Sequence, residues 1–206
     1  MTEEEWDEGT HPSNMMGEAI HFHSSTRKLR LLAAALCRRV GRIDDAELIE
    51  RASVGEVVTE EIVRRHRFVA PAPIRRNTWS GNPARLRKDY QAAQIAAAAL
   101  NVDPFDAAQS TVHEAFAWLQ AELNEFIRCV FCNPFRPVAF DPAWRTEHTV
   151  GIAGKMYDDR DFAAMPILAD ALEEAGCENP DILAHCRGPG VHVRGCWVVD
   201  LVLGKS

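Results

Sequence analysis

The chain has 206 residues, 47% of them hydrophobic and 26% charged, and a net charge of −7. These values exclude a disordered or low-complexity polymer and suit one sizeable core or two small ones. Six cysteines are too few for a disulfide-built scaffold, and no apolar run approaches the ~20 residues of a membrane span. Met1 to Gly9 carry five acids and no base, the reverse of a secretory leader. The expectation is a cytoplasmic protein with reduced thiols and no membrane association.

Charge is unevenly placed. Between Arg27 and Lys88, fifteen Lys or Arg stand against seven acids, a net of +8 that leaves −15 for the rest. Such asymmetry marks either an interaction surface or two parts of one protein that attract each other. The second reading is preferred, because an acidic protein repels nucleic acid at long range.

Residues 1–25 are polar and broken by Pro12, Ser13 and Asn14, which predicts a loosely ordered acidic arm with Met15, Met16, Ile20 and Phe22 available to dock it. Residues 26–132 read as a helical region. Ser24, Ser25 or Thr26 can cap a first helix, where Leu29, Leu32, Ala33, Leu36, Cys37 and Val40 recur at the spacing of one face, and Gly41 can stop it. Arg27, Lys28, Arg30, Arg38 and Arg39 fall mostly on the other side and read as solvated. Two more helices are expected over Asp44–Ala52 and Val54–Phe68. Pro71, Pro73, Gly81 and Pro83 make 69–83 a linker. Asn82–Pro83 and Asp103–Pro104 each pair a capping residue with a first-turn proline, predicting helices to Leu100 and to about Phe131.

Residues 133–206 read as a carboxy-terminal helical module. Pro134, Pro137 and Pro142 mark an extended connector carrying Phe135, Val138, Phe140 and Trp144. Helices follow over Thr149–Asp158 and Asp161–Ala175, then a short one from Asn179–Pro180 to Gly188. The valines of Val191–Leu203 favour a strand, but its only partner would be Pro137–Phe140, and an isolated strand pair is marginal. It is therefore read as helix, and the fold class as all-α.

The strongest chemical constellation is His185, Cys186, His192 and Cys196, since zinc takes imidazole and thiolate ligands. On a helix His192 and Cys196 share a face, and Cys177 offers a further thiolate. His185 and Cys186 are adjacent and point apart, so at most one joins a common site. Free cysteine is also among the most buried residue types, which makes packing the first reading and a zinc site the second. Cys129 and Cys132 form a CxxC at a helix end, where the dipole opposes a reactive thiol, so redox chemistry is set aside. A Cys nucleophile with a His base needs spatial adjacency and an oxyanion donor. No phosphate loop, GxSxG or HExxH appears. Phe68, Trp79 and Tyr90 lie among the basic residues but form no nucleic-acid-binding signature.

NPFRPVAFDPAW, MPILADALEEAGC and DILAHCRGPGVHVRGCWVVDLVLGK, together with RKLRLLAAALCRR, resemble a bacterial family abundant in planctomycetes whose members carry no assigned function. The resemblance spans residues 133–206 and the first helix, and leaves 41–121 outside it. It matches Cys37, Cys177, Cys186, Cys196, His185 and His192, and usually has glycine where this chain has Cys132. It implies no catalytic role. The resulting expectation is a non-enzymatic interaction or regulatory protein with another protein as partner. The alternatives are a zinc protein using Cys186, His192, Cys196 and His185, and a nucleic-acid-binding protein using residues 27–88.

Overall fold

A computed structural model describes residues 1–9, 11–22, 25–56, 61–62, 64, 95, 98 and 103–205. The 69–83 linker and most of the helices expected over 54–68 and 82–100 lie outside the described residues. Those described form helices and no strand. The fold is all-α, as its periodicities indicate.

The described residues of the 1–25 segment, expected as a loosely ordered arm, correct the sequence reading. They include α1 (Glu3–Glu8) and α2 (Pro12–Phe22). A capping box starts α1, with the Thr2 hydroxyl accepting from the Glu5 amide and the Glu5 carboxylate accepting from the Thr2 amide. Trp6, Met15 and Met16 are fully buried, so this segment is part of the core rather than an arm. Arg128 donates to the Trp6 carbonyl at 2.6 Å and holds the end of α1 in place.

Ser25 caps α3 (Thr26–Arg39), which leads to α4 (Ile43–Ser53). The long α5 (Pro104–Phe131) packs against both α2 and α3, burying Leu119, Leu123, Phe126, Ile127 and Val130. These helices enclose the first core. The helix α3 is buried on more than the expected stripe, since Leu31, Ala34 and Ala35 join Leu29, Leu32 and Leu36. Its basic residues are correspondingly engaged instead of solvated. Arg27 binds Asp200 through two bonds of 2.8 and 2.9 Å, and Lys28 donates to the Val130 carbonyl at 2.7 Å. Arg38 meets Glu50, and Arg39 grips Glu122.

The connector carries a 3-10 turn at Pro142–Trp144 capped by Asp141, with Phe140 edge-on to Trp144 at 5.3 Å. Four helices then surround a second core: α6 (Glu147–Asp159), α7 (Met165–Glu174), α8 (Pro180–Arg187) and α9 (Trp197–Leu203). Asn179 accepts from the Asp181 and Ile182 amides, and Pro180 fills a first-turn position with no N–H to satisfy. The last segment is helical only from Trp197. Residues 191–196 form an extended stretch and a turn closed by the Cys196 amide on the Val193 carbonyl at 2.9 Å. Cys129, near the end of α5, belongs to this second core although most of its helix serves the first.

Candidate metal centre

Three elements converge where the two cores meet. The last turn of α5 supplies Cys129, the last turn of α8 supplies His185, and the 191–196 loop supplies His192 and Cys196. The ligand atoms of these four residues all lie within 4.8 Å of one another. His185 Nε2 is 3.2 Å from Cys196 Sγ. The His185 ring stacks obliquely on Trp197 at 5.1 Å and meets His192 edge-on at 4.9 Å, which fixes both imidazoles.

The loop reaches this position because of one glycine. Gly195 sits at φ +93°, and a Cβ there would lie 3.0 Å from Leu31 Cβ on α3. Only glycine combines that dihedral with so close an approach. His192 and Cys196 therefore meet through a turn laid on α3, and not, as the sequence spacing suggested, through one helical face. Cys196 is the residue from which α9 starts, and its carbonyl accepts from Asp200.

Burial pushes the Cys129 thiol well above its ordinary range, and the neighbouring Cys196 sulfur adds to this. Burial also opposes ionisation of Cys196, but Cys129 and His185 outweigh it and hold that thiol well below its usual value. The pair thus favours one thiol donating to one thiolate. Cys129 and Cys196 are 1% and 0% exposed, so neither sulfur can meet a substrate from solvent. Both ring nitrogens of His192 are buried and make no well-aligned hydrogen bond, although the ring lies close enough to Cys196 to help lower its thiol. A buried imidazole nitrogen without a well-formed hydrogen bond costs about 1–3 kcal/mol, which a cation bound at that nitrogen would offset.

Of the residues singled out from sequence, His185, His192 and Cys196 are brought together. Cys186 is not among the four: it is fully buried in the second core, where burial pushes its thiol up. Cys177 is likewise buried and raised. Cys129 reads from sequence only as half of a CxxC, and nothing in its spacing links it to the other three ligands. Its partner Cys132 ends α5 at φ +39°, a left-handed conformation suited to glycine, and burial pushes its thiol up to about 11. Neither cysteine of the CxxC has the lowered thiol of a redox motif.

Two imidazoles and two sulfurs are the donor set of tetrahedral zinc, whereas magnesium and calcium take oxygen. Bonds of ~2.0–2.3 Å place tetrahedral ligand atoms roughly 3.3–3.8 Å apart. The 3.2 Å His185–Cys196 contact is already near that spacing, and the four ligand atoms together span at most 4.8 Å. No helix among the described residues is long and apolar enough to cross a membrane. The chain matches no protein-family model, no curated protein and no solved structure.

Proposed function

We propose that this is a non-enzymatic zinc protein whose centre, held by Cys129, His185, His192 and Cys196, clamps the carboxy-terminal module to the long helix α5. The observation that carries this reading is the convergence of four ligand atoms within 4.8 Å, with both His192 nitrogens buried and making no well-aligned hydrogen bond. Four protein donors fill a tetrahedral shell and leave no open position for water or substrate, which is the pattern of a structural and not a catalytic site. The ion would link residues far apart in the chain, and its binding energy would appear as folding stability.

The nucleic-acid reading draws less support, because five of the eight described bases of the positive segment, Arg27, Lys28, Arg38, Arg39 and Arg42, serve internal ion pairs. Elemental analysis of protein purified without chelator tests the zinc reading. One zinc per chain is expected, with cobalt substitution giving the absorption of a tetrahedral thiolate site. Substoichiometric metal that zinc titration does not raise would falsify it.

A further inference from the structure

A cavity of about 230 Å³ lies on the other side of the 191–196 loop, beneath α3 and α5. Its floor is apolar, formed by Leu31, Ala35, Phe126 and Phe162, and its rim carries Arg38, Arg39, Arg160 and Arg194. Glu50, only 5% exposed, stands at that rim. It accepts from Arg38 Nη2 at 3.0 Å, Arg160 Nη2 at 2.6 Å and Arg194 Nη1 at 3.0 Å. One carboxylate is therefore hydrogen-bonded by three guanidiniums, with Glu47 acting on Arg160 at longer range, while Arg39 is matched by Glu122. The excess of positive charge is partly desolvated, a costly state that a second anion relieves. Arg38 Nε is in addition buried without an acceptor.

We infer that this cavity binds a small amphipathic carboxylic acid, its carboxylate on Arg38 and its neighbours at the rim and its apolar body on the Leu31–Phe126 floor. Glu50 preorganises the guanidiniums, so little side-chain entropy is lost on binding. Guanidinium–carboxylate pairing is bidentate and charge-assisted, which selects an acid over its neutral analogue. Size narrows the class. A cavity of ~150 Å³ accepts benzene, so 230 Å³ holds one ring or a branched chain with a short acidic arm. A nucleotide is too large and too polar for such a floor.

The cavity shares one wall residue, His192, with the zinc centre, while Cys129, His185 and Cys196 do not line it. Calorimetry with 3-phenylpropionate and 3-phenylpropanamide on the full chain tests it, with zinc content measured on the same sample so that either reading can fail alone. Saturable one-to-one binding of the acid is expected, about tenfold or more tighter than the amide. Arg38→Gln should abolish that preference. Ala35→Leu, which fills the floor without touching a charge, should weaken both ligands. If the acid does not saturate at millimolar concentration, binds no tighter than the amide, or is unaffected by Ala35→Leu, the inference is overturned.

Discussion

Cys129 is the residue on which the zinc reading turns. It enters from α5, far from the other three ligands in sequence, so neighbour spacing does not reveal it. What spacing does reveal is His185, His192 and Cys196, because α8 ends and α9 begins within a short stretch of chain. It cannot separate His185 from Cys186, since only the direction of the last turn of α8 decides which of the two faces the loop. The two cysteines then make opposite predictions. Cys129→Ser should lower zinc affinity by about 100-fold or more, measured by competition with a chromophoric chelator. Cys186→Ser should keep one zinc per chain and cost about 1–3 kcal/mol in urea unfolding, because it puts a hydroxyl into an apolar site. A Cys186→Ser protein that loses its metal while Cys129→Ser keeps it would reverse the assignment.

At the scale of elements, helix starts marked by a capping residue and proline were legible: Pro104 opens α5 and Pro180 opens α8 where the sequence puts them. Such starts depend on local groups alone, so local sequence suffices. In the amino-terminal segment Pro12, Ser13 and Asn14 read as a break, whereas Pro12 is the first residue of α2. The Thr2–Glu5 capping box was the missed local signal for α1. The start of α9 at Trp197 escapes the sequence for a different reason. The 191–196 turn is held by Gly195 lying on Leu31, a contact between distant segments that periodicity cannot register. If α1 belongs to the core, Trp6→Ala should destabilise by about 3–5 kcal/mol. An unchanged urea midpoint would mean that α1 is a decoration on the fold.

Across the whole molecule, the charge asymmetry becomes a set of bonds between the two cores. Arg27 and Lys28 from the positive segment reach the buried Asp200 of α9. In the reverse sense Glu50, an acid inside that segment, takes Arg160 and Arg194 from the module. The attraction between parts was legible from composition, but its partners were not, because each pair joins residues more than a hundred positions apart, α3 to α9 and α4 to Arg160 and the 191–196 loop. Glu50 makes the consequence measurable. Burial works to raise its carboxyl, but hydrogen bonds from Arg160 and Arg38 outweigh it and hold the group below its ordinary value. A carboxylate depressed in the folded state contributes stability that is complete above its unfolded pKa of about 4.3 and is lost as pH falls through the lower folded value. Glu50→Gln should therefore cost about 2–3 kcal/mol near neutral pH, less than a fully buried pair because its arginines are partly solvated. Its penalty should shrink as pH falls from about 5 to 3, since the native side chain is then itself neutralised. Urea unfolding of both proteins across that range reads the difference directly. Parallel curves at constant offset would show that the loss comes from packing, and that the Glu50 charge does not hold the two cores together.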